Sequence, residues 1–168
     1  MAKRVITKIG DVFIVEFGCT KKYFQYISND IAMMNSSVIR VFKKEFSKND
    51  HPSLLDIVSN EVDFYAHTVL RWGIYQDAWK KIGNVPIVNQ LENIYFRSSQ
   101  DYGIGAGEKR VEVSAKWNIW KLGDTDYHFV NKLEGVFRKA DIGVILPAFV
   151  IIDRMKNGRY TFPYPHFE

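Results

Sequence analysis

Four histidines, His51, His67, His128 and His166, are the first place to look for a metal or an acid–base site. No two of them stand two or four residues apart, so neither His-x-His nor His-Glu-x-x-His occurs. Asp63 and His67 alternate onto one face of an expected strand, as do Asp126 and His128. With those strands side by side, Asp63, His67, Asp126 and His128 form the best metal-ligating group the sequence offers. Residues i and i+4 on a strand are roughly 13 Å apart, so Asp63 and His67 cannot hold one ion directly. Polar residues on a solvent-facing sheet are the plainer reading, and neither a metal nor a cofactor is expected.

The nucleophile candidates are equally thin. Cys19, the single cysteine, follows Gly18 at a strand end, and His51 is distant in sequence. A thiolate–imidazole pair would have to be created by the fold, whereas a small residue at a strand end needs no such partner. There is no Gly-x-Ser-x-Gly elbow. Gly103-Ile104-Gly105-Ala106-Gly107 follows a strand, which is half of a dinucleotide fingerprint. A helix N-terminus should follow to cradle phosphate, but Glu108-Lys109-Arg110 and an alternating run come next. A hairpin loop is expected there, and no catalytic residue emerges.

Recognition chemistry is better represented. From Arg71 to Asn84 the chain concentrates aromatic and basic residues: Arg71, Trp72, Tyr75, Trp79, Lys80 and Lys81. Trp, Tyr and Arg dominate protein–protein hot spots, and the same set can stack and neutralise single-stranded nucleic acid. The competing role for Trp72 and Trp79 is core packing. Net charge is +4, from 23 basic and 19 acidic side chains, and the pairs Lys21-Lys22, Lys43-Lys44 and Lys80-Lys81 are spread along the chain. A nucleic-acid binder clusters its charge on one face, so this distribution argues for another partner.

These residues must be carried by strands. The aromatic share of 15% suits half-buried sheet surfaces. Period-2 alternation marks Asp11–Phe17, Val38–Phe42, Val62–Leu70 and Val111–Trp120, with shorter strands at Tyr23–Ile27 and Asn93–Arg97. Leu122-Gly123-Asp124 should turn Val111–Trp120 back onto Thr125–Val130 as an antiparallel hairpin. Helices are expected over Pro52–Ser59 and Ala148–Asn157, the latter opened by Pro147 and closed by Gly158. The prolines of Phe162-Pro163-Tyr164-Pro165-His166 keep the tail out of regular structure. The expected fold is mainly β with some α: a curled antiparallel sheet or partly open barrel of about seven strands, plus a C-terminal helix, in one domain over residues 1–168. No apolar h-region follows Lys3, Arg4 and Lys8, and the longest apolar run, Ile142 to Ile152, is broken by Gly143 and Pro147. A cytoplasmic protein without a membrane partner is expected.

The order of several segments resembles one family. Lys8-Ile9-Gly10-Asp11-Val12-Phe13 is similar to the opening of the immunity protein 26 family of bacterial polymorphic-toxin systems. Val62–His67 leading to Trp79–Pro86 resembles its middle, and Gly143–Pro147 with the helix through Tyr160 resembles its end. The resemblance implies a β-rich protein that neutralises a cognate toxin by direct binding. The family label also carries a phosphotriesterase attribution, which makes a small phosphotriesterase-like hydrolase the alternative; a β-barrel nucleic-acid module is the third reading. Binding rather than catalysis is the expectation. Because the chain is basic, the toxin surface it meets should be neutral or acidic.

Overall fold

Alternation is realised along most of the chain. In the computed structural model, which describes residues 4–88, 91–101 and 106–168, β1 (Asp11–Phe17) turns at Gly18-Cys19 into β2 (Thr20–Asp30), and β3 (Ser36–Phe42) pairs antiparallel on the far side of β2. β4 (Phe46–Ser47) extends that side, and β5 (Val62–Thr68) pairs antiparallel with β3. β6 (Lys80–Asn84) closes the β1 edge. The second sheet holds β7 (Tyr95–Ser99), β8 (Trp117–Lys121), β9 (His128–Val130) and β10 (Asp141–Ile142), in the order β10-β7-β8-β9. β11 (Ile145–Leu146) returns to the first sheet beside β5, giving the order β11-β5-β3-β2-β1-β6. The β-rich class and the C-terminal helix, α3 (Ala148–Asn157), are as expected.

Two apolar faces give the molecule its layers. One face of the large sheet carries Phe13, Val15, Phe24, Ile39, Val41, Phe64 and Ala66, covered by Trp79 and by Ala148, Ile151 and Met155 of α3. At one end of the opposite face, Val12, Tyr23 and Phe42 meet Ile57 of α1 (Leu54–Val58). At the other end, Ile27 and Val38 pack on Ile94, Phe96, Trp120 and Leu122 of the small-sheet layer. Consecutive residues of β2 alternate between the two faces, so Tyr26 joins the first core and Ile27 the second.

Several expectations need correcting. The described residues form eleven strands in two sheets, not about seven in one, and the contacts of β11 with β5 and β10 with β7 are parallel. The run Val111–Trp120 is strand only from Trp117; its hairpin with β9 is present. Upstream, the Ser114 hydroxyl donates to Asp101 at 2.7 Å and accepts from the Lys116 N–H at 3.1 Å. Such local side-chain bonds compete with a ladder, and Val113 makes only an isolated bridge to His166 of the tail. The expected strand Val62–Leu70 stops at Thr68, where a short helix, α2 (Leu70–Tyr75), begins.

Candidate partner-binding surface

α2 is six residues long and has one buried side. Leu70 and Gly73 face the core and Ile74 is half-buried against it. Gly73 is there because Trp79 is: a Cβ at position 73 would stand 2.1 Å from the indole ring. Trp79 in turn donates its indole N–H to the Leu70 carbonyl at 3.0 Å and meets Phe24 edge-on at 5.0 Å between centroids. The core thereby fixes α2 from below. The outward side presents Arg71, Trp72 and Tyr75. Trp72 and Tyr75, spaced i, i+3 on one helix face, remain 63% and 60% exposed while touching edge-to-face at 6.3 Å. Beside them a shallow cavity of 280 Å³ is lined by Val69, Trp72, Gln76, Pro147 and Ala148, among others. Phe149, the next residue of α3, is 67% exposed. An apolar patch with aromatic anchors and Arg71 alongside has the composition of a recognition surface.

The other residues read from the sequence lie elsewhere. Trp79 is 1% exposed and is a core residue, which corrects its expected place on a contact surface. Its indole N–H is satisfied inside the protein, so nothing is left to offer a partner. Lys80 and Lys81 sit on the edge strand β6, apart from α2; Lys81 Nζ reaches the buried Asp11 at 2.9 Å. The four candidate ligands are not gathered. Asp63 is exposed and His67 is fully buried on β5, whereas Asp126 and His128 are exposed at the far edge of the other sheet. Among the described residues no group of three such side chains could hold a metal ion. Gly103, Ile104 and Gly105 of the glycine-rich run lie outside the described residues. Cys19 is exposed in the β1–β2 turn.

Three polar groupings, two buried and one half-buried, were not legible in the sequence. The carboxylate of Asp30, at the end of β2, stands 2.7 Å from His67 Nε2 and accepts from the Trp120 indole N–H at 2.8 Å, which ties the two sheets together. Asp30 and His67 are both fully buried, and Phe96 packs on the imidazole at 4.3 Å. In mid-sheet, Gln25, Arg40 and Tyr65 lie in cross-strand register, and Arg40 donates to Gln25 Oε1 through Nε at 3.0 Å and Nη2 at 2.6 Å. Burial lowers the Arg40 pKa and raises that of Tyr65, the latter opposed by Arg40. Where β10 meets β5, Asp141 accepts from the Tyr65 N–H at 3.0 Å and from Arg154 at 3.3 Å. Burial still pushes the Asp141 carboxyl above its usual range, although Arg154 and the Tyr65 N–H pull it down. Arg40, alternating with Val38 and Phe42, carries a local signal of burial, whereas Asp30 and Asp141 stand in no alternating apolar run and are buried only by the fold.

No curated protein and no solved structure matches the chain. No helix among the described residues is long and apolar enough to cross a membrane. A sequence model described as immunity protein 26 matches residues 8–107, from the turn before β1 through β7. That match covers more than half of the chain, and the protein belongs to the immunity protein 26 family.

Proposed function

We propose that this protein neutralises a cognate bacterial toxin by direct binding in the cytoplasm, and that the α2 surface makes the contact. The observation carrying the reading is the exposure of Trp72 and Tyr75 together on a helix pinned to the core. An aromatic pair held in place loses little freedom on docking, which is what an anchor requires. Membership of an immunity-protein family supplies the class of partner. The +4 charge favours a toxin surface that is neutral or acidic, so association should slow as salt is added.

The test uses a toxin domain encoded beside this chain's gene. Trp72→Ala and Tyr75→Ala should each weaken the complex by about 2 kcal/mol, with the thermal unfolding midpoint unchanged. The double variant should leave the toxin active in a mixture where the parent protein silences it. Full affinity in both single variants would place the contact elsewhere. Unimpaired silencing without a measurable complex would overturn neutralisation by binding.

A further inference from the structure

β2, β5 and β11 run in one direction and stop at one level of the large sheet. Asp30 stands opposite Ser36, Ser37 opposite Thr68, and Thr68 opposite Leu146. The residues that follow, Ile31, Val69 and Pro147, therefore leave the sheet at the same end, spread over three strand spacings or about 15 Å. Ile31 and Met34 of the β2–β3 turn are exposed there, as are Val69, Trp72 and Tyr75 from the β5–α2 stretch and Phe149 of α3. Large apolar side chains gathered at one end of a molecule mark a contact surface, whereas single ones do not.

Met34 is the unusual member. It and Asn35 have φ of 51° and 52°, two successive left-handed residues. Such a pair ordinarily takes Asn and Gly. A methionine held there costs conformational energy, and a side chain 78% exposed recovers little of it by packing. Strain that the monomer leaves uncompensated points to a functional position.

Charge says what should cover this end. Segments 31–37, 69–76 and 145–150 hold one charged residue, Arg71. It is exposed and pairs with no carboxylate among the described residues. Asp30 is fully buried against His67 and Trp120, Asp77 lies past the far end of α2, and Asp153 is a turn beyond Phe149 on α3. A partner that covers the apolar side chains strips water from the Arg71 guanidinium, which is costly unless a carboxylate meets it. A lone cation is a poor footing for a phosphate backbone, whose binders cluster several. A second copy docking by the same patch would bring another arginine and no carboxylate. Resting on the reading that α2 contacts the toxin, we propose that the toxin covers this whole sheet end, from Phe149 across Trp72 to the Met34 turn. Its surface there is apolar and carries one carboxylate against Arg71.

The test titrates the full chain against the toxin domain encoded beside its gene, at two salt concentrations. Met34→Gly should raise the thermal unfolding midpoint, since glycine relieves the left-handed strain, yet weaken the complex about fivefold or more. Phe149→Ala should weaken it by a similar factor with the midpoint unchanged. Arg71→Met should weaken it about tenfold and flatten the salt dependence, whereas Arg71→Lys should retain that dependence. Parent-like affinity in either Met34→Gly or Phe149→Ala, with Trp72→Ala still weakened, would confine the contact to α2; that overturns the proposal and leaves the earlier reading standing. Parent-like affinity in Trp72→Ala and Tyr75→Ala would remove that reading as well. An Arg71→Met complex with the parent's affinity and salt dependence would overturn the carboxylate. Alone, the chain should sediment as a monomer at about 100 µM and should not pellet with phosphatidylglycerol vesicles. A dimer or a vesicle-bound fraction that Met34→Gly abolishes would assign this end to a second copy or to a membrane, and overturn the proposal.

Discussion

Asp30 gives up all contact with water on folding and accepts from the Trp120 indole while holding His67. Its second oxygen and His67 Nδ1 have no hydrogen-bond partner, so the tie has little redundancy. Asp30→Ala should therefore cost about 3–5 kcal/mol, because it leaves the imidazole and an indole N–H buried and alone. Trp120→Phe removes one donor and should cost less, nearer 1 kcal/mol for the hydrogen bond itself. Urea unfolding of both variants checks the order. Trp79→Ala belongs with the first group at about 3–5 kcal/mol, unlike Trp72→Ala and Tyr75→Ala, whose stability should stay within about 0.5 kcal/mol of the parent. Tyr160 offers a pH test. Burial pushes its phenol up to about 12 from an ordinary 10.0. A group raised in the folded state contributes stability that is complete below pH 10 and is lost as pH rises through about 12. Tyr160→Phe should flatten the fall in unfolding free energy across that window, by roughly 2–3 kcal/mol in total.

At the scale of elements, what could be read from the sequence followed how local the cause was. α3 was legible because everything that makes it is within its own stretch: Pro147 before it, an apolar stripe along it, and Gly158 after it with φ of 71°. Gly158→Ala should cost about 1 kcal/mol, since nothing crowds the added methyl and only the left-handed backbone resists it. Thermal unfolding measures this directly. The end of β5 was not legible. Val62–Leu70 alternates without a break, but Leu70 and Trp79 must both enter the core, and only a helical turn with Gly73 under the indole brings them there. The alternating run before Trp117 failed for the reverse reason, since Ser114 satisfies its neighbours locally and leaves them no need of a strand. Of the candidate site, residue types were readable and exposure was not. The cluster Arg71–Lys81 was found as a unit, and only the fold divides Trp72 and Tyr75 outside from Trp79 inside.

Over the whole molecule, protection from exchange should follow depth in the layers. β2 and β3 are paired on both sides and covered on both faces, so their amides should exchange slowest. β9 is a three-residue edge with His128 and Phe129 exposed, and it should exchange fastest among the strands. Hydrogen exchange read by mass spectrometry or NMR would show the gradient, and equal protection of β9 and β3 would contradict the layering.

The large sheet also ends in two different ways. At one margin β11 is only two residues long; at the other, β6 carries Lys80 and Lys81 side by side. A long bare margin is a template on which further copies can add strand by strand into insoluble aggregates. The short margin offers too little ladder to copy, and at the other Lys81 is already engaged by Asp11 while Lys80 stays exposed. Two chains meeting there would force ammonium groups together. Replacing Lys80 by an apolar residue should leave the fold alone yet lower solubility, because a charge guards that margin.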